Sequence, residues 1–181
     1  MNRRSFLKLG TLSLAACVFP FPVQAAIKSN HFTRKSLYLF NPHTDESLDV
    51  VYYENGRYVS DALEAVNHIF RDYRIDEIKK IHTGLLDYLF AISNQLKLDS
   101  TAPFHIVSGY RSPQTNAVMR KRSRKVAKNS YHIKGKAVDI RLPEYSTSLL
   151  RKAAMSLSMG GVGYYPKSNF VHVDVGDVRF W

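Results

Sequence analysis

Three groups of residues in this chain have the types and spacing to do chemistry: Ser108-Gly109-Tyr110-Arg111-Ser112; Ser130-Tyr131-His132 with Ala137-Val138-Asp139; and Phe170-Val171-His172-Val173-Asp174. Each lies on or beside a segment that reads as a strand. A zinc hydrolase needs neutral imidazoles and a carboxylate to fill three tetrahedral positions, with the fourth left to a water whose pKa the metal lowers toward neutrality. His132, Asp139 and His172 offer that set and imply one Zn2+ per chain. Gly135 lets the chain turn between the first two, so that a ligand on a loop and one on the following strand can converge. On that strand Asp139 points one way and Val138 and Ile140 the other, toward an apolar side. By composition alone this is a weaker pattern than His-Glu-x-x-His on a helix.

Cysteine occurs once, at Cys17, so any metal must be held by imidazole and carboxylate. Residues 1–26 read as an export signal: a basic start with Arg3, Arg4 and Lys8, an apolar stretch over residues 12–21, then Val23-Gln24-Ala25 with small residues where a signal peptidase reads. Arg3-Arg4 followed by Ser5-Phe6-Leu7-Lys8 resembles the twin-arginine type, whose cargo crosses folded, which places the domain in the periplasm. A lipid anchor at Cys17, suggested by Leu14-Ala15-Ala16-Cys17, ranks below cleavage after Ala25 because apolar residues continue to Val23. No other stretch has the length of apolar residues that spans a bilayer.

The remaining residues, 27–181, have the size of one compact domain. Hydrophobic residues make up 45% and charged residues 23% of the 181-residue chain, which excludes disordered and fibrous classes. The net charge is +11, and loss of the leader leaves 23 basic against 15 acidic residues. The partner is therefore anionic. Nucleic acid and an envelope polymer both meet that condition, and an exported protein meets the second.

The elements that must position the three groups follow from pattern. Residues 36–40 and 48–53 read as strands, with Asn55-Gly56 as a tight turn after them. Ser60-Asp61 caps a helix carrying Leu63, Val66, Ile69 and Phe70 at helical spacing, and a second helix over residues 78–96 buries Leu85, Leu86, Leu89, Phe90 and Ile92. Short strands and helices then alternate: residues 104–108 extended, 113–126 helical, 137–141 extended, 147–157 helical, and a final strand pair over 162–165 and 170–175 after the Gly160-Gly161 break. This order predicts an α+β domain with a small, mainly antiparallel sheet and flanking helices.

Ser-x-His, three residues to a Gly, then Ala-Val-Asp, with a later Phe-Val-His-Val-Asp strand, resembles the zinc peptidases of the D-alanyl-D-alanine dipeptidase and carboxypeptidase family. The tail from Gly160-Gly161-Val162-Gly163-Tyr164-Tyr165-Pro166 to Trp181, with Ser108-Gly109-Tyr110-Arg111-Ser112, is similar to its periplasmic murein endopeptidase K branch (YcbK-like). The resemblance implies a hedgehog/D-Ala-D-Ala-peptidase-like fold and puts His132, Asp139 and His172 on the metal-ligand positions. It puts Arg111 where a guanidinium lies beside the substrate carbonyl, a place to stabilise the oxyanion, and Ser130 where the substrate peptide is contacted. Many relatives place Glu three residues before the last histidine. Here that residue is Asn169, and an amide cannot take a proton from water. Asp174, two residues beyond His172 on the same strand face, is the candidate for the base or for the partner that orients a ligand.

His31, His43, His68, His82 and His105 have no carboxylate-bearing motif around them and are read as surface or hydrogen-bonded core histidines. The basic run Arg120-Lys121-Arg122-Ser123-Arg124-Lys125, continuing to Lys128, is read as a solvated helix face with weak attraction to acidic groups of the wall, not as a nucleic-acid site. Tyr164, Tyr165, Phe170 and Trp181 are read as core that borders a substrate cleft. The expected function is zinc-dependent hydrolysis of peptidoglycan cross-links, with L,D bonds between diaminopimelate residues favoured. D-alanyl-D-alanine carboxypeptidase activity is the enzymatic alternative, and a non-catalytic zinc-containing wall-binding module is the alternative of another class.

Overall fold

The computed structural model describes residues 33–99, 101–123 and 126–181; the expected export signal and Cys17 lie outside them. The first strands are β1 (Arg34–Asn41) and β2 (Glu46–Glu54), antiparallel partners. Asn55 and Gly56 take φ of 51° and 83°, the double left-handed turn that matches strand twist, and return the chain into β3 (Arg57–Tyr58). Two helices follow, α1 (Ser60–Ile69) and α2 (Thr83–Leu96), then β4 (Phe104–Ser108), α3 (Pro113–Arg122), β5 (Ala137–Arg141), α4 (Thr147–Leu157), β6 (Gly161–Tyr165), β7 (Phe170–Asp174) and β8 (Arg179–Phe180).

The class is α+β, as expected, but the sheet is larger and more mixed than the sequence pattern suggested. Its order is β3-β2-β1-β4-β5-β7-β6-β8, and the β1–β4 and β6–β8 pairings are parallel. A parallel neighbour needs a long crossover, and between β1 and β4 the chain supplies one through β2, β3 and both first helices. The expected hairpin thus joins the same sheet as the functional strands.

Three helix boundaries differ from expectation. The N-cap of α1 is Val59, with no side-chain cap bond, and Ser60 already lies in the first turn. Residues 78–82 are not helical: Ile81 N–H donates to Asn67 Oδ1 at 2.8 Å and His82 N–H to Gly135 O at 2.9 Å, so the segment is tied to other elements before α2 begins. His82 is the cap, its Nδ1 accepting from Gly84 N–H at 3.1 Å. α3 stops at Arg122 because Ser123 is extended, with φ −148° and ψ 124°.

The alternation along the strands decides what each face does. Val138, Ile140, Val171 and Val173 point to the side where α1, α2 and α4 bury Val66, Leu85, Leu86, Leu89, Ile92 and Leu150. Tyr88 is wholly buried there, and its hydroxyl donates to Ala154 O at 2.9 Å, so the burial leaves no orphaned donor. Asp139, His172 and Asp174 necessarily point the other way.

Gly135 joins the two faces. It takes a φ of 63°, and a Cβ there would stand 2.5 Å from Lys80 O. Gly135→Ala is expected to cost at least about 1–2 kcal/mol from the left-handed backbone alone, read as a lower denaturant midpoint with an unchanged m-value.

Candidate metal centre

β5 and β7 pair antiparallel with Asp139 directly opposite His172, so two of the three expected ligands meet through backbone register. His132 arrives from a single 3-10 turn, Tyr131–Lys134, that precedes β5. Ser130 Oγ accepts from His132 N–H at 3.3 Å and caps that turn, and Gly135 ends it in the left-handed region. The loop after β4 holds it from the side: Arg111 N–H donates to His132 O at 3.3 Å, and His132 Nδ1 donates to Gly109 O at 2.7 Å. That loop is itself anchored, with Tyr110 N–H bonded to Phe70 O at 2.7 Å and Ser112 N–H to the buried Asp72 at 3.0 Å.

Three ligand atoms converge. His172 Nδ1 lies 2.8 Å from Asp139 Oδ1, His132 Nε2 lies 3.2 Å from the same oxygen, and the two nitrogens are 3.2 Å apart. A tetrahedral ion with bonds of about 2.0–2.1 Å has edges of about 3.3–3.4 Å, so this triangle is close to one face of such a site. The tautomers agree with it. A carbonyl can only accept, so His132 Nδ1 carries the proton and Nε2 keeps its lone pair; Asp174 Oδ2 accepts from His172 Nε2 at 3.0 Å, so loss of the second imidazole proton leaves Nδ1 as the nitrogen that would hold a metal.

Asp174 was expected as base or as the group that orients a ligand, and donors surround it. It is fully buried; Oδ2 accepts from His172 and from Arg179 Nη2 at 2.6 Å, and Oδ1 accepts from Arg179 Nη1 at 3.1 Å and Gly176 N–H at 2.8 Å. Arg179 was missed in the sequence because it lies beyond the His-x-Asp group, on the two-residue β8. The close packing is allowed by β6, whose Gly161 would bring a Cβ within 2.6 Å of Asp174 Oδ2 and 2.7 Å of Arg179 Nη1. An Arg five residues after the Asp, with a glycine pair upstream, is the signal that could have found the clamp.

The charges interlock. Burial raises the Asp139 carboxyl, but the His132 and His172 imidazoles outweigh it and hold the group below the usual carboxylate range. Burial likewise raises Asp174, but His172 and Arg179 bring it to about 2. His172 is lowered by burial and raised more by Asp139 and Asp174, to about 8, whereas burial wins for His132 and lowers it.

His132, Asp139 and His172 form the floor of a cleft of about 630 Å3, with Arg111, Ser130, Tyr165, Phe170, Arg179 and Trp181 among its walls. Arg111 is buried, its Nη2 is 3.6 Å from Asp139 Oδ2, and its Nε has no partner. Burial lowers the guanidinium pKa, against the pull of Asp139. Tyr165 stacks on Phe170, and the Trp181 ring centroid is 5.3 Å from that of His172, so these aromatics border the site instead of filling the core. Asn169 takes a φ of 51°, and its Oδ1 accepts from Thr147 at the start of α4. His43, His68, His82 and His105 lie outside the cluster; His31 is outside the described residues.

Two imidazoles and a carboxylate on the floor of an open cleft, with a buried guanidinium beside them, are the parts of a metal-dependent hydrolase. Residues 29–181 match the family described as peptidoglycan L,D-endopeptidase MepK, and the chain belongs to that family. It is 44% identical over 180 residues to the peptidoglycan L,D-endopeptidase MepK of Escherichia coli (strain K12), covering 99% of this chain and 97% of that one. The identity is also 44% to the protein of that name from Shigella flexneri, at the same coverage. The probable peptidoglycan L,D-endopeptidase MepK of Haemophilus influenzae is 38% identical, over 99% of this chain and 95% of that one. Among the described residues no helix is long and apolar enough to cross a membrane.

In the metal-free protein, His172 is expected to titrate near 8 by imidazole NMR, above its ordinary 6.5. Its protonation then stabilises the fold fully below about 6.5, and that contribution is lost as pH rises through about 8. Asp174→Asn removes one of the two carboxylates that raise it, so the midpoint should move down.

Proposed function

We propose that this protein is a zinc-dependent murein endopeptidase that hydrolyses peptide cross-links of peptidoglycan in the periplasm, with L,D bonds between diaminopimelate residues as its target. The observation that carries the reading is the triangle of His132 Nε2, Asp139 Oδ1 and His172 Nδ1, with edges of 2.8–3.2 Å, in a cleft of about 630 Å3. His132, Asp139 and His172 would hold the ion. Bound zinc supplies a water of lowered pKa and polarisation of the scissile carbonyl.

The protein's own groups position the ligands and the substrate. Arg111 lines the cleft beside Asp139, so its guanidinium can donate to a carbonyl oxygen as negative charge builds there. Water is largely excluded from that guanidinium, which strengthens the interaction relative to a surface arginine. Ser130 has two tasks on one residue: its hydroxyl caps the His132 turn, and it lines the cleft where the substrate peptide runs. Asp174, clamped by Arg179, holds His172 in the tautomer that presents Nδ1 and takes no part in proton transfer, because its oxygens are enclosed by four donor contacts. Export through the twin-arginine-type leader at residues 1–26 completes the reading.

Incubation of the zinc-loaded mature protein with isolated peptidoglycan, followed by chromatography and mass spectrometry of the muropeptides, tests this. Cross-linked dimers should fall and monomers rise, with His172→Ala inert. Release of free D-alanine in place of monomers would make it a carboxypeptidase, and binding without any new ends would make it a wall-binding module. Asp174→Asn should weaken zinc binding by roughly 10–100-fold in a chelator competition. Retention of zinc at wild-type affinity in that variant, together with loss of turnover, would instead make Asp174 the proton acceptor.

A further inference from the structure

The basic run stands beside the cleft that holds the candidate metal centre. Arg120, Lys121 and Arg122 are exposed on the last turn of α3, and Lys128 is exposed in the loop that follows. Between and beside them, Met119, Ser123, Val126, Ala127 and Asn129 form a wall of the cleft that contains the metal cluster. Ala127, next to Lys128, is tied to the helix, because the buried Asn116 donates through Nδ2 to Ala127 O at 3.1 Å. These four cations therefore stand at the rim.

Among the described residues, none of these four cations has a carboxylate partner, whereas Lys35, Arg71, Arg74 and Arg179 pair with Asp87, Glu46, Asp72 and Asp174. The sequence enforces the imbalance: no Asp or Glu occurs between Asp99 and Asp139, a stretch that carries nine Lys and Arg. Like charges gathered without counter-charges repel one another through the field they share. Three at a helix C-terminus recover part of that from the dipole, but Lys128 lies outside its reach. A cluster of this kind is balanced by an anionic partner, and its place on the rim makes that partner whatever crosses the cleft.

We propose that this rim is the docking surface for the free carboxylates of the stem peptides that flank the scissile cross-link in the polymeric wall. The proposal rests on the peptidoglycan reading given above. Stem peptides present carboxylates on their γ-linked glutamate and diaminopimelate residues, and in the assembled wall they repeat at fixed distances from the bond to be cut. The rim binds the polymer around the site, while the floor of the cleft binds the bond itself.

The test uses the zinc-loaded mature protein, the neutralised variant Arg120→Gln/Lys121→Gln/Arg122→Gln/Lys128→Gln, and the charge-retaining variant Arg120→Lys/Arg122→Lys. Binding to isolated sacculi is measured across a salt series. Four exposed charges lost should weaken binding on the order of tenfold at low salt and flatten its salt dependence, while the charge-retaining variant should match the wild type. Equal affinity and equal salt dependence in the neutralised variant would overturn the proposal, as would an equal loss in the charge-retaining one. So would a neutralised variant that loses only its binding to phosphatidylglycerol vesicles, since the rim would then serve a membrane surface. Cleavage of a soluble cross-linked muropeptide dimer by the wild type reports separately: if it is absent while salt-sensitive sacculus binding persists, the hydrolytic reading fails and the rim remains.

Discussion

The antiparallel pairing of β5 with β7 is the constraint on which the rest of the molecule depends. It sets Asp139 opposite His172, and it sets Val138 and Ile140 in line with Val171 and Val173 on the other face. One pleat thus builds the core and the candidate metal centre together. A slip of one residue would drive the valines into the cleft and the ionisable groups into the apolar layer, so the burial of the core fixes the register of the chemistry. Everything else brings partners to that pair: a 3-10 turn delivers His132, the loop after β4 delivers Arg111, and β8 delivers Arg179.

The electrostatics explain why the cluster needs so many neighbours. Three ionisable side chains packed within hydrogen-bond distance and nearly closed to solvent are costly unless their charges are matched. Asp139 is balanced by two imidazoles and by Arg111, and Asp174 by His172 and a two-point contact with Arg179. The chain Arg179, Asp174, His172 then ends on a nitrogen whose lone pair has one direction. Small residues on β6 make this possible, because Gly163 lies opposite His172 and a Cβ there would come within 2.7 Å of the Trp181 ring.

Much of this was legible in the sequence, and the limits are physical. Alternation in Ala-Val-Asp-Ile-Arg and Phe-Val-His-Val-Asp placed β5 and β7 and told which side chains share a face, because period two is a local property. α4 was equally plain from its spacing, and Ser112, at the end of the Ser108 group, proved to cap α3. The eight-strand order was not legible, since parallel pairing of β1 with β4 depends on what the intervening helices pack against. Residues 78–82 carry helical composition but are held out of α2 by Asn67 and Gly135, contacts distant in the chain. The roles of Arg179 and of the basic rim depend on neighbours that only the fold brings together. Asn169 shows the reverse case: the sequence flagged a missing acid, and the fold turns that amide to Thr147, in a left-handed turn that asparagine tolerates.

The most direct measurement is a crystal structure of the zinc-loaded protein with anomalous data at the zinc edge. One peak per chain is expected, held by His132 Nε2, an Asp139 oxygen and His172 Nδ1, with His172 Nε2 still on Asp174. A peak elsewhere, or a His172 ring turned so that Nε2 meets the ion and Asp174 is released, would contradict it.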